Sequence, residues 1–258
     1  MSLILEAKKI TMQFRGLKAV DDYTLDMETG KIYGLIGTNG AGKTTVFNIL
    51  TGVLKPTSGQ VILNSKAITG LRPDRITGLG IARTFQNLRL FNGLTVLDNV
   101  MVGAQRHKSY GFLSTVCSLS SMTRGEKILK DDAFEFLEAL GLSSHAGQLA
   151  GSLPYGSQRR LEIARALATR PKVLLLDEPA AGMNPKESRE LMETIRRVRE
   201  QFNLTILLIE HDMQVVMNLC DQLQVLCYGK IIAEGLPAEI QNNQQVIEAY
   251  LGRAAKHA

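Results

Sequence analysis

The chain has 258 residues, of which 45% are hydrophobic and 21% charged, a balance ordinary for a soluble globular protein. Its formal net charge is +5 and its pI about 9.1; the basic residues are scattered among acids, which predicts a solvated surface rather than a nucleic-acid stripe. The longest apolar runs, Val173 to Leu176 and Thr205 to Ile209, are strand-sized, far short of the roughly 20 residues of a membrane span.

In chain order, Ile4 to Phe14 and Val20 to Met27 alternate loosely and predict two strands joined through the Arg15-Gly16 turn. Leu3-Ile4-Leu5 gives way at once to Glu6, Lys8 and Lys9, so no secretory signal is expected. Phe14 sits where the chain leaves the first strand, a position open to two roles: stacking on a base or filling the core.

The stretch from Lys31 to Leu54 is the most informative. An apolar strand, Ile32 to Ile36, leads into Gly37-Thr38-Asn39-Gly40-Ala41-Gly42-Lys43-Thr44, and a helix is expected from about Lys43. This fits G-x-x-x-x-G-K-[ST] without a mismatch. Glycines let successive backbone N–H groups converge on one point, and the helix adds its positive end and unpaired donors. Lys43 is placed to reach the β- and γ-phosphates and the Thr44 hydroxyl to ligate Mg²⁺. The stretch predicts a nucleoside-triphosphate site.

Further along, Gln60 to Leu63 reads as a short strand, Asp74 to Leu79 as one helical turn, and Ile81 to Phe85 as a strand ending in Gln86. Thr95 and Thr123 begin helix-start patterns of the capping-box kind. The serine-rich segment from His107 to Met122 has too weak a pattern to assign. Leu129, Ala133, Phe136, Leu137 and Leu140 share one helical face, and Gly141 stops that helix. A helix follows from Gly156 to about Thr169, ended by Pro171, and then the strand Val173 to Leu176. Asn184 caps a helix opened by Pro185; Leu204 to Ile209 is a strand buried on both faces, ending at Glu210-His211. The remainder, through Gln224 to Ile232 and a final helix near Pro237 to Leu251, completes the core and a tail. The cysteines Cys117, Cys220 and Cys227 lack metal-ligand spacing and read as free thiols of a reducing cytosol.

An apolar strand ending in Asp177-Glu178 supplies what the phosphate loop lacks. An aspartate at a strand tip can hold Mg²⁺ beside the triphosphate, and the adjacent carboxylate can orient and deprotonate an attacking water.

Taken together, these motifs resemble the ATP-binding subunits of ABC transporters across nearly the whole chain. The resemblance implies an α/β fold: a P-loop NTPase (RecA-like) core with an antiparallel β subdomain and an inserted α-helical subdomain. It implies one domain over 1–258, with 1–86 and 156–258 forming the core and β subdomain and 87–155 the helical subdomain. It assigns catalysis to Glu178 as general base, with His211 as the switch histidine and Lys43 and Gln86 in support. Nucleotide contacts fall to Gly37, Thr38, Asn39, Gly40, Ala41, Gly42, Lys43, Thr44 and Thr45, with Phe14 stacking on adenine. The Mg²⁺ site falls to Thr44, Gln86 and Asp177. Leu153 to Gln158 resembles the signature segment, whose Gly156 and Ser157 face the nucleotide of a partner subunit, and Ala181 to Asn184 the loop connecting the two sites.

The departures carry their own meaning. Family members usually have Leu-Ser-Gly-Gly-Gln in the signature; here Pro154 replaces the serine, Tyr155 the first glycine, and Ser157 the glutamine, while Asn184 replaces the usual aspartate of the connecting loop. Pro154 offers neither hydroxyl nor N–H, so this signature has fewer donors for phosphate. The implied assembly is a heterodimer with a different ATP-binding subunit, bound to transmembrane permease subunits at the cytoplasmic face of the membrane and served by a periplasmic or extracellular solute-binding protein. The run from Leu153 through Arg165, Asp177 to Pro185, and the closing run Ile231 to Gly252 are similar to one ATP-binding subunit of bacterial branched-chain amino-acid importers. The alternatives are another ABC system such as a lipopolysaccharide exporter, a soluble ABC ATPase acting on nucleic acid or ribosomes, and a nucleotide-binding regulator without turnover.

Overall fold

The computed structural model describes residues 2–104 and 119–254. Six strands form one sheet in the order β10-β9-β3-β8-β7-β6: β3 (Ile32–Gly37), β6 (Ile81–Arg83), β7 (Val173–Asp177), β8 (Thr205–Ile209), β9 (Gln222–Cys227) and β10 (Lys230–Gly235). All neighbours in it are parallel except β9 and β10. A second, antiparallel sheet has the order β2-β1-β4-β5, from β1 (Leu3–Phe14), β2 (Leu17–Glu28), β4 (Ser58–Leu63) and β5 (Lys66–Ala67). This is the expected α/β arrangement, with two hairpins, β1–β2 and β4–β5, joined through β1 and β4 beside a parallel core.

The central strands are apolar without alternation because both faces are buried. Leu174, Leu176, Ile206 and Leu208 enter one apolar cluster, while Val173, Leu175, Leu207 and Ile209 enter a second. The second cluster lies under the antiparallel sheet and the helix α1 (Lys43–Leu50). The first is covered by helices: α5 (Tyr155–Leu167), α6 (Pro185–Gln201) and α7 (Met213–Leu219), with α8 (Pro237–Gln241) and α9 (Gln244–Ala254) at its margin. The short α2 (Pro73–Leu79) precedes β6.

Between β6 and β7 run α3 (Val96–Ala104) and α4 (Leu119–Ala139), both packed on α5. The expected face of α4 is buried, and Leu129, Ala133, Phe136, Leu137 and Leu140 join the first cluster. Gly141 stops α4 in the left-handed conformation (φ +67°), its N–H bonding to Glu138 and that of Leu142 to Leu137; this is a Schellman cap. Thr95 caps α3, its hydroxyl accepting the Asp98 N–H at 3.0 Å.

Several boundaries depart from expectation. The Phe85 and Gln86 backbone lies beyond β6, where the Arg159 side chain of α5 takes both carbonyls. α5 begins at Tyr155, one residue earlier than expected. α4 is already helical at Leu119, so Thr123 does not start it; a Thr-x-x-Glu spacing also occurs inside helices. The closing helix is broken in two: the Asn243 side chain accepts the N–H groups of Gln245 and Val246 and caps a new helix. Cys220 is buried and Cys227 half-buried, both free, whereas Cys117 lies outside the described residues. The unassigned segment from His107 likewise lies outside them up to residue 118.

Gly103 lets α3 approach α5 closely, since a Cβ there would lie 2.4 Å from the Arg165 carbonyl. Gly103→Ala gains roughly 1 kcal/mol of helix propensity but overpacks a backbone contact at about 1–3 kcal/mol. The expected net result is a lower urea midpoint with an unchanged m-value.

Candidate active site

In parallel register, the tips of β3, β6, β7 and β8 open onto one rim, where α/β sheets hold ligands. Leu35 pairs with Ile209, and Ile209 with Asp177. The glycine loop, Gln86, Glu178 and His211 therefore arrive together from positions far apart in the chain.

The loop between β3 and α1 has the shape of a cradle. Gly37, Gly40 and Gly42 take φ of +147°, +77° and +108°. A Cβ at Gly37 would lie 2.1 Å from the Leu226 carbonyl, and one at Gly42 2.4 Å from the Ala19 carbonyl on β2. Those two glycines are demanded by packing. Gly40 has nothing within 4 Å of such an atom, so its left-handed turn faces open space at the lip, beside the exposed Asn39. Thr38 accepts the Ala41 N–H at 3.1 Å, tightening the turn. Gly42 caps α1 without a side-chain bond, and the first turn of α1 carries no acid. Its positive end is thus uncontested. Lys43 is buried and its ammonium donates to the Gly37 and Thr38 carbonyls at 2.6 and 3.1 Å. Thr44 is exposed and Thr45 half-buried in the same turn. Phe14 is 42% exposed at the end of the β1–β2 hairpin, outside the core.

Across from the cradle, Glu178 adopts the left-handed conformation (φ +47°) just past the tip of β7. That costs a non-glycine residue about 1–3 kcal/mol, and the Glu178 N–H bond to the Ile209 carbonyl at 2.9 Å holds it there. Its carboxylate accepts the Gln86 amide at 3.0 Å and lies 3.8 Å from His211 Nδ1. Gln86 and His211 thus flank the Glu178 carboxylate.

Asp177 is buried and paired with Arg83 at 2.7 Å, the side chains being 5% and 7% exposed. Arg83 also donates to Asn48 of α1 at 2.6 Å and stacks between Phe47 and Phe85. Sequence reasoning missed Arg83, although a lone cation in the strand Ile81-Ala82-Arg83 is a signal that some buried acid awaits it. It also missed Glu210, which is buried and accepts the N–H groups of Ala180 and His211 at 3.0 and 3.2 Å. Burial pushes the Glu210 carboxyl upward, opposed by those two N–H groups.

The signature-like segment opens α5. Pro154 is its N-cap residue and contributes no side-chain bond. Ser157 is buried with its hydroxyl accepting from Arg160 at 3.2 Å, while Gly156 is half-buried. The Tyr155 hydroxyl donates to the Ala181 carbonyl at 3.0 Å, tying this segment to the loop before α6.

The residues fit a magnesium nucleotide. Glycine-shaped space, a helix N-terminus and a buried ammonium suit phosphates. The Thr44 hydroxyl, Asp177 carboxylate and Gln86 amide are all oxygen donors, as Mg²⁺ prefers. Among the described residues there is no cluster of three or more His, Cys, Asp or Glu that could cage a metal.

Comparison with known proteins points the same way. The family model described as ABC transporter matches residues 20–181, and the model described as branched-chain amino acid ATP-binding cassette transporter matches residues 230–256. The high-affinity branched-chain amino acid transport ATP-binding proteins BraF of Pseudomonas aeruginosa and LivG of Escherichia coli are each 46% identical over 251 residues, 97% of this chain and 98% of theirs. A probable LivG of Archaeoglobus fulgidus is 34% identical over 96% of this chain and 95% of its own. Among solved structures, a nucleotide-free ATP-binding cassette of an ABC transporter has a TM-score of 0.84 at 34% identity, covering 96% of this chain and 99% of that one. Another such cassette, in its ADP conformation, has a TM-score of 0.85 at 32% identity, covering 98% and 100%.

Removing one partner of a buried ion pair costs about 3–5 kcal/mol, because the other charge is left uncompensated. Arg83→Met is expected to lower unfolding stability by that order in a urea titration, and Asp177→Asn, which keeps an acceptor for Arg83, by less.

Proposed function

The chain belongs to the ABC transporter family of ATP-binding proteins, and from that premise we propose that it is the ATP-hydrolysing subunit of a bacterial importer of branched-chain amino acids. The observation that carries the catalytic half is the strained Glu178, held between Gln86 and His211 on the rim that bears the glycine loop. The cargo follows from the names of relatives 46% identical over nearly the whole chain and from the match at residues 230–256.

In this reading the backbone of Gly37 to Gly42, the start of α1 and Lys43 bind the triphosphate, and Phe14 stacks on the adenine. To do so Lys43 exchanges its carbonyl partners for phosphate oxygens, a better match for an ammonium. Mg²⁺, when bound, neutralises charge on the phosphates, and Thr44, Asp177 and Gln86 are the residues that would hold it. Glu178 orients a water and accepts its proton, with His211 and Gln86 fixing the carboxylate from either side.

Two such subunits face head to tail, each nucleotide closed between one cradle and the opposite signature. Binding energy available only with the terminal phosphate present drives closure, and its loss reopens the pair. Pro154 and the inward-turned Ser157 weaken the half-site made by this signature, which favours a different chain as partner. Residues 87–155 act as the body that conveys this motion to permease subunits. An open groove of about 560 Å³ lined by Arg89, Leu90, Phe91, Val102 and Arg165 suits a docked permease segment. No helix among the described residues is long and apolar enough to cross a membrane. In this reading the subunit sits at the cytoplasmic face through its contact with the permease, in a system served by a solute-binding protein outside.

Glu178→Gln should keep nucleotide affinity and lose about 10²–10⁴-fold in turnover, the usual share of a general base; wild-type phosphate release from it would overturn the assignment. Lys43→Ala should lose affinity for ATP, read by fluorescent-nucleotide titration. Copurification with permease subunits, and ATPase activity stimulated by leucine, isoleucine or valine with the binding protein, tests the cargo. Stimulation by none of them, or copurification with lipopolysaccharide-export components, would sink it.

A further inference from the structure

Two side chains of α5 grip the backbone on which Gln86 rides. Arg159 donates through Nη1 to the Phe85 carbonyl at 2.8 Å and through Nη2 to the Gln86 carbonyl. Glu162, 3.2 Å from the same guanidinium, accepts the Phe85 N–H at 3.4 Å. Three polar groups of adjacent residues are thus held by one ion pair, at the point where β6 has stopped supplying ladder bonds. The side chain of Gln86 donates to Glu178.

The pair is deeply buried, each side chain being 3% exposed. Burial pushes the Glu162 carboxyl upward, against the opposing pull of Arg159. Such pairs contribute little net stability compared with apolar residues of the same volume, so their geometry calls for another explanation. The start of the same helix supplies it. Tyr155, Gly156 and Ser157 form its first turn, and the Tyr155 ring lies 5.6 Å beneath the Arg159 guanidinium while its hydroxyl holds Ala181.

We infer that Arg159 and Glu162 are positioning residues that hold Gln86 against Glu178, so that α5 links the signature at its start to the water-activating carboxylate of the same chain. The inference rests on the roles given above to Gln86 and Glu178. A helix is stiff over a few turns, so a displacement of Tyr155 to Ser157 by the partner's nucleotide moves Arg159 and, through the carbonyls, Gln86. A misplacement of about 1 Å at such a site costs on the order of 10²-fold in rate. Each chain thereby senses occupancy of the neighbouring site through its own α5.

The test is a double-mutant cycle on ATP turnover by the protein purified with its copurifying subunits. Arg159→Lys keeps the charge facing Glu162, but a single ammonium cannot reproduce the planar fork that spans two carbonyls. Its kcat should fall about 10- to 100-fold, with KM for ATP and nucleotide affinity within about twofold of wild type. Gln86→Ala should also be slow, and the double variant no slower than Gln86→Ala alone, because both act through one contact. Losses that multiply in the double variant, or Arg159→Lys with wild-type kcat, would overturn the inference while leaving Gln86 in its role. Wild-type turnover by Gln86→Ala would overturn both. Should Arg159→Lys not fold, Glu162→Gln takes its place in the cycle: a double variant no slower than Gln86→Ala supports the inference, and multiplying losses overturn it.

Discussion

A strand buried on both faces has nowhere to place a charge except at its ends. β3, β7 and β8 carry apolar side chains into two separate clusters, and their polar chemistry is confined to the tips. Parallel pairing then fixes which tips coincide. The glycine loop, Asp177-Glu178 and Glu210-His211 meet because the strands before them pair in parallel with their ends in register. The site is a by-product of how the sheet satisfies its backbone and hides its side chains.

Given that rim, the remaining geometry is set by backbone groups held in costly conformations. Gly37 and Gly42 accept positive φ because neighbouring carbonyls leave no room for a side chain. Glu178 accepts it without that excuse, and bonds from Glu178 to Ile209 and from Ala180 to Glu210 keep the turn in place. Strain of this sort survives only where the surroundings over-determine it. The buried carboxylate of Glu210 therefore acts on the turn after β7 although it lies at the end of β8.

Local features were legible in the sequence. The phosphate loop, the capped helix at Asn184 and the stop at Gly141 each depend on a few adjacent residues whose stereochemistry is nearly self-sufficient. Unbroken apolar runs such as Val173 to Leu176 disclosed a doubly buried sheet. What stayed hidden depends on partners far along the chain. Arg83 finds Asp177 across 94 positions, and nothing in Ile-Ala-Arg says which acid it meets. Arg159 and Glu162 stand three apart on a helix, the same spacing as a solvated surface pair; only burial reveals that they hold another segment. The break at Asn243 was missed because the apolar periodicity from Pro237 to Leu251 runs on through it, and the side chain that ends one helix and begins the next leaves that pattern intact.

The sheet also partitions the interior. Side chains of one parity along β7 and β8 join the cluster that the long helices cover, and those of the other parity join the cluster under the antiparallel sheet and α1. The two clusters share no buried residue, so a change of volume in one falls first on neighbours that the other does not contain. Such an interior tolerates drift in one compartment without compensation in the other. A lineage can thus refit its helices to a new membrane partner while the catalytic compartment stays as it was.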